Sequence, residues 1–209
     1  MDKVFGSKCV IVGSMDCEQD LHWINDEDYV ILADGGYQYK EKINYNLIIG
    51  DFDSLGYVPD EENVRAFPVQ KDDTDMMLAV KAGLEKGFDS FLLLGGVGGR
   101  LDHTIANIQT LAYLKSQGKH AMMIGDGQQI ELLKNETRRL LCRERGMVSV
   151  FAYGGMAKDV SIEGLLYEVS HVDLSTDFPL GVSNHWNGQN ATITVGEGSL
   201  LLILTENEK

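Results

Sequence analysis

The chain has 209 residues, 44% of them hydrophobic and 24% charged, and a formal net charge of −14. This composition is that of a soluble globular protein large enough for one or two domains without disulfide staples. So acidic a surface repels nucleic acid and anionic membranes, and neither is expected as a partner.

No apolar run approaches the roughly 18–20 residues needed to cross a bilayer. Residues 1–8 lack the apolar core of a signal peptide. Cys9, Cys17 and Cys142 have no CxxC spacing and are expected as reduced thiols, which predicts a cytoplasmic location.

Apolar runs at 9–12, 29–32 and 47–49 predict the first three strands. Runs at 91–94 and 121–124 continue the series. None alternates with polar residues, so the strands are expected to be buried on both faces, as in a mostly parallel sheet. Between the later runs, 74–86 predicts a helix with Met77, Val80 and Leu84 on one face and Gly87 as its stop. The spacing of Ile105, Ile108 and Ala112 predicts a second helix over 103–117, stopped by Gly118.

Beyond Gly127 the texture changes. Short β-prone runs at 130–133, 147–153, 165–172, 191–195 and 199–204 are separated by turn signals such as Asn187-Gly188. The fold class expected is therefore α/β plus all-β. A layered α/β domain over 1–127 precedes a β-sandwich over 128–209.

Four Asp- and Gly-rich clusters fall at the carboxyl ends of predicted strands or the starts of helices, where open α/β sheets bind ligands. The first is Asp34-Gly35-Gly36, which also reads as a simple turn. The second, Gly50-Asp51-Phe52-Asp53-Ser54, places two carboxylates at i and i+2. In extended backbone these point the same way and suit a shared hard cation such as Mg²⁺. The third, Lys71-Asp72-Asp73-Thr74-Asp75, offers more acids than a helix cap needs. Lys71 there either meets a phosphate or neutralises its neighbours.

The fourth cluster has four glycines between Gly95 and Gly99, then Arg100, Leu101, Asp102 and His103. Gly96, Gly98 and Gly99 would let backbone N–H groups approach phosphate oxygens, and Arg100 suits bidentate phosphate contact. The loop is neither GxGxxG nor a Walker A sequence. In the β half, Trp186 follows Ser183, Asn184 and His185, and reads as a packing residue or a stacking platform.

No nucleophile elbow and no His/Cys metal spacing is present. The chemistry indicated relies on positioning and metal electrostatics, as phosphoryl and pyrophosphoryl transfers do.

In order and spacing, these clusters, with Gly181-x-Ser183-Asn184, resemble the thiamine pyrophosphokinase family over nearly the whole chain. The resemblance implies a homodimer with its active site at the subunit interface. It also implies pyrophosphoryl transfer from ATP to the thiamine hydroxyl, with Mg²⁺ as cofactor. In its terms the domain at 1–127 is catalytic and binds ATP, and the domain at 128–209 binds thiamine.

Carried over residue by residue, Asp51, Asp53 and Asp75 would hold Mg²⁺, and Asp72 would join them in the catalytic set. Asp34, Gly35, Gly36, Gln70, Lys71, Thr74, Gly96, Gly98, Gly99 and Arg100 would line the ATP site. Asp102, Ser183 and Asn184 would place thiamine, with Trp186 or Tyr167 stacking on its ring. Asp75 or Asp72 would accept the hydroxyl proton. The other readings are a pyrophosphokinase for a pterin-type alcohol, a non-catalytic thiamine- or nucleotide-binding protein, and a nicotinamide oxidoreductase.

Overall fold

The computed structural model describes residues 7–53, 55–70 and 72–206. Two compact units divide the chain between Asp126 and Gly127.

In the first unit, β1 (Cys9–Val12), β2 (Tyr29–Ala33), β3 (Leu47–Gly50), β4 (Val64–Ala66), β5 (Ser90–Leu94) and β6 (His120–Gly125) lie in the order β6-β5-β1-β2-β3-β4. Each neighbouring pair is parallel. The chain winds outward from β1 to β4, then returns to the other side of β1 for β5. The topological switch point therefore falls between β1 and β5, where open sheets leave a crevice beyond the strand ends.

Alternation decides which layer each side chain joins. Val10, Val12, Leu32, Ile48, Leu92 and Leu94 share one face with Tyr37, Tyr39 and Phe52. Against this face pack Leu21, Trp23 and Ile24 from the 3₁₀ segment Glu18–Trp23 and its cap. On the other face Cys9 and Phe91 meet Gly83 of helix α1 (Asp75–Glu85) so closely that a Cβ on Gly83 would fall 2.6 Å from the Phe91 ring. Helix α2 (Leu101–Ser116) packs beside α1 and β6. Burying each such Val, Leu or Ile contributes about 1.5–3 kcal/mol.

The predicted helix over 74–86 forms from Asp75, with Thr74 as its cap. The second helix begins at Leu101, two residues before the predicted start.

The second unit has β7 (Gln128–Lys134), β8 (Thr137–Leu140), β9 (Met147–Ala152), β10 (Ala157–Glu163), β11 (Val169–Leu174), β12 (Asn184–His185), β13 (Ala191–Glu197) and β14 (Ser199–Thr205). Two antiparallel layers, β12-β9-β14-β7 and β11-β10-β13-β8, bury one shared core of Leu133, Val148, Val150, Val160, Ile193 and Leu202 with their neighbours. This is the sandwich that the sequence predicts.

The run at 165–172 differs from its prediction. The strand starts only at Val169, and the four residues before it form a loop whose Leu165 makes a single bridge to Trp186. Among the described residues no helix is long and apolar enough to cross a membrane.

Candidate active site

Three of the acidic positions converge. One carboxylate oxygen from each of Asp34, Asp51 and Asp53 lies within 4.8 Å of the others. Asp34 follows β2 at φ 44°, a left-handed conformation that Asp tolerates better than most residues. It opens the 3₁₀ segment Asp34–Tyr39. Gly36 in that segment must lack a side chain, because a Cβ there would lie only 2.0 Å from the Val12 carbonyl oxygen. Gly35 is equally confined, its Cβ position lying 2.6 Å from Ser14 Cβ.

Asp51 and Asp53 do not meet by extended alternation. Phe52 between them sits at φ 57° with its ring buried in the core. The Asp53 N–H donates to Asp51 Oδ1 at 3.2 Å, and Leu55 and Gly56 donate to the Phe52 carbonyl. A bulky residue in the left-handed region is strained, and burial of the ring is what holds it there. The sequence reading thus found the pair but attributed it to the wrong backbone geometry. Three carboxylates with only hard oxygen donors fit a divalent cation such as Mg²⁺.

Asp75 is not in this group. It opens α1, with Oδ1 shielded from solvent. Thr74 supplies the helix cap, its Oγ1 accepting from Met77 N–H at 3.2 Å, and Asp73 pairs with Lys81 at 2.6 Å. Gln70 and Asp72 are exposed on the approach to the helix. Lys71 and Ser54 lie outside the described residues.

The glycine loop lies at the switch point. Met15 N–H donates to the Gly95 carbonyl at 3.2 Å, and Gly13 N–H donates to Leu94 at 2.8 Å. Gly95 has φ 64°, and a Cβ on it would lie 2.7 Å from the Met15 carbonyl. Gly96 is pressed against the Met123 sulfur, and Gly99 against that of Met15. These glycines therefore have a packing reason, whereas Gly98 faces open space.

Asn107, buried on α2, donates to the Gly96 carbonyl at 2.8 Å. Tyr39 ties the β1 loop to the Asp34 segment, accepting from Cys17 N–H at 3.0 Å and donating to Asp16 at 3.2 Å. Burial pushes the Tyr39 hydroxyl up to about 12. Neither support was found by sequence reasoning. A buried Asn on the apolar side of a predicted helix was the one available signal.

Arg100 and Asp102, assigned from sequence to different ligands, are partners. Nε and Nη2 of Arg100 donate to the two Asp102 oxygens at 3.1 and 2.6 Å. The Arg100 guanidinium holds the Asp102 carboxyl below its usual range, although both side chains are largely exposed.

In the β unit, Ser183 is exposed at φ 58°, and its N–H donates to Ser149 Oγ at 3.0 Å. Asn184 is buried, with its amide bound to the backbone of Tyr167. Trp186 packs against the sandwich core, and its buried indole N–H has no partner among the described residues. Tyr167, by contrast, is 64% exposed.

A parallel α/β unit with acidic and glycine loops at its carboxyl edge is joined in one chain to a β-sandwich, an arrangement suited to holding a nucleotide. Residues 21–123 match the family model for the thiamin pyrophosphokinase catalytic domain, and residues 129–200 match that for its vitamin B1 binding domain. The chain belongs to the thiamin pyrophosphokinase family.

It is 26% identical over 197 residues to the thiamine pyrophosphokinase of Bacillus subtilis (strain 168), covering 87% of this chain and 86% of that one. In fold it is similar to the crystal structure of a thiamine pyrophosphokinase from Bacillus subtilis, with TM-score 0.85, 22% identity, and 97% and 100% of the two chains covered. A second such structure, from Geobacillus thermodenitrificans, gives 0.81 at 24% identity, with 96% and 98% covered. The fold extends to a thiamin pyrophosphokinase from Candida albicans, with TM-score 0.80, 15% identity, and 96% and 90% covered.

Proposed function

We propose that this chain transfers the pyrophosphoryl group of ATP to the hydroxyl of thiamine, giving thiamine diphosphate and AMP by in-line displacement at the β-phosphorus. The observation that carries the catalytic part is the convergence of Asp34, Asp51 and Asp53 beside the glycine loop's end of the sheet. Mg²⁺ bound there would neutralise charge on the triphosphate.

The chain's own groups do the positioning. Arg100 leaves Asp102 to meet a phosphate oxygen, which costs little because the pair is exposed. The open Gly98 and the start of α2 give backbone N–H groups access to phosphate. Gly35, Gly36, Gly96 and Gly99 keep the loops close enough for this. Thr74 fixes the start of α1, and Gln70, Lys71 and Asp72 border it. Asp72 or Asp75 accepts the proton of the attacking hydroxyl.

On the β unit, Ser183 and Tyr167 address the thiamine rings. The exposure of Tyr167, and the packing of the partly buried Trp186 against the sandwich core, favour Tyr167 as the stacking group. The domain assignments follow, with ATP held by the unit ending near residue 127 and thiamine by the unit after it.

In the same reading the active form is a homodimer with the site between subunits. Exposed Leu166, Phe178, Leu180 and Val182 on the β unit support this, since exposed apolar side chains mark interfaces. A cytoplasmic location is supported by three free cysteines.

The test is AMP release from ATP and Mg²⁺ with and without thiamine. Thiamine-dependent AMP with thiamine diphosphate as co-product is expected. AMP release with a pterin alcohol alone would overturn the substrate, and thiamine binding without AMP would overturn the reaction. Light scattering of the purified chain tests the dimer, and a monomer mass under assay conditions would remove it.

A further inference from the structure

We infer that Asn184 is a positioning residue that fixes Tyr167 for ring recognition, and that it does not itself touch the substrate. The argument starts from its hydrogen-bond capacity. Asn184 Oδ1 accepts from the backbone N–H groups of Tyr167 and His185, each at 2.9 Å. Its Nδ2 donates to the Tyr167 carbonyl at 2.7 Å. Both lone pairs of the amide oxygen are therefore committed. Tyr167 offers one donor and one acceptor, which sets the amide's orientation, because the flipped amide would face like with like at both contacts.

The residue is also only 7% exposed, which leaves little of its amide open to a ligand. In effect the amide substitutes for a neighbouring strand along one residue of backbone.

The rest of the loop is pinned in the same manner. Gly164 N–H donates to Glu168 Oε1 at 2.7 Å, and Leu166 N–H donates to the His185 carbonyl at 2.9 Å. Leu165 bridges to Trp186, which is anchored in the core. All this fastening serves a segment whose most prominent side chain, Tyr167, points 64% into solvent. Satisfied polar networks rigidify what they hold, and what this one holds is an exposed aromatic. A pre-ordered ring then binds a flat or cationic heteroaromatic without losing backbone freedom at that moment. Asn184 thus acts on affinity through Tyr167.

This inference rests on the thiamine reading above. The experiment is a double-mutant cycle in the full-length protein, with thiamine and ATP dissociation constants measured by calorimetry. Tyr167→Ala is expected to weaken thiamine binding about tenfold, the scale of one desolvated cation–π contact. Asn184→Ala should weaken it similarly while the ATP constant stays within about twofold, and the double variant should be no weaker than Tyr167→Ala alone.

Losses that multiply in the double variant would mean an independent Asn184 contact and would overturn the inference. So would an Asn184→Ala protein with unchanged thiamine affinity. Asn184→Ser, whose shorter hydroxyl cannot reach both Tyr167 backbone groups and introduces no buried charge, replaces Asn184→Ala in the cycle if the alanine variant does not fold. Absence of thiamine binding in the unmodified protein would instead defeat the substrate reading, and the positioning role with it. The two failures are distinguishable because only the first occurs with normal wild-type binding.

Discussion

Asn107, buried on the second helix, donates its side-chain amide to the carbonyl oxygen of Gly96 at 2.8 Å. One hydrogen bond thus fastens the glycine loop to the helix that follows it. Asn107→Leu leaves that carbonyl unsatisfied and should cost about 1–3 kcal/mol in urea denaturation, with several-fold weaker ATP binding. Thr110→Val is the control, because among the described residues the Thr110 hydroxyl bonds within its own helix, to the Ala106 carbonyl at 3.0 Å. Equal losses of ATP affinity in both variants would show that the loop contact is not special.

The carboxylate group makes a distinction that sequence does not. Asp53→Asn and Asp34→Asn should each lower kcat by ~10²–10³-fold, the range for loss of one preorganised electrostatic contact. Mn²⁺ titration of each variant should show weakened binding, with an unchanged circular dichroism spectrum. Asp75→Asn should leave Mn²⁺ affinity nearly unaltered, since Asp75 stands outside the converging group. Loss of Mn²⁺ binding in Asp75→Asn, with retention in Asp34→Asn, would reverse the ligand assignment.

Phe52 combines a buried ring with φ 57°. Both Phe52→Ala and Phe52→Gly lose the ring, but only glycine adopts that backbone without strain. Phe52→Gly is therefore expected to be more stable than Phe52→Ala by about 1 kcal/mol, against the usual order of these residues. Urea midpoints of the two variants check this. The opposite order would mean that the loop relaxes once the ring is gone.

Burial pushes the thiols of Cys9 and Cys17 up from 9.0 to about 12 and about 11, with Asp28 adding to the first and the Tyr39 hydrogen bond opposing the second. Their folded pKa values are raised, so the contribution to stability is complete below the unfolded value near 9 and is lost as pH rises toward about 11. Stability by denaturant titration should thus be level below about pH 9 and decline above it. The decline should be shallower in Cys17→Ala. At neutral pH a thiol reagent should modify Cys142 rapidly and the two buried cysteines only on unfolding.

Much of this architecture is legible in sequence, for a physical reason. Cys9–Val12 is buried along its whole length and Ser90–Leu94 from Phe91 onward, so those positions have no polar alternative. β4 is missed because Val64, Arg65 and Ala66 form a short, partly exposed edge that needs no apolar run. β10 is missed because its alternation is broken where Asp159 enters the left-handed region and the register shifts. β8 carries two arginines along a sheet edge.

At the site, Asp34, Asp51 and Asp53 could be named from their loops, but their grouping apart from Asp75 depends on the turn at Phe52. Asn184 and Trp186 look alike as polar-loop residues. Which way each side chain points is decided by the backbone they face, Tyr167 for one and the sandwich core for the other.

β1 supplies none of the candidate ligands, yet it sits between the strands that do. Its Val12 carbonyl lies where a side chain on Gly36 would be, and its Gly13 lies against the Gly95 carbonyl, with a Cβ there only 2.8 Å away. The strand is in this sense a spacer gauge, which sets the gap between the acidic loops on one side and the glycine loop on the other. A change at Gly13 would be felt as a change of distance between two groups of residues that it never joins. In this chain the spacing of its two sets of site loops is thus written into the short stretch from Gly13 to Cys17, which holds none of the candidate ligands.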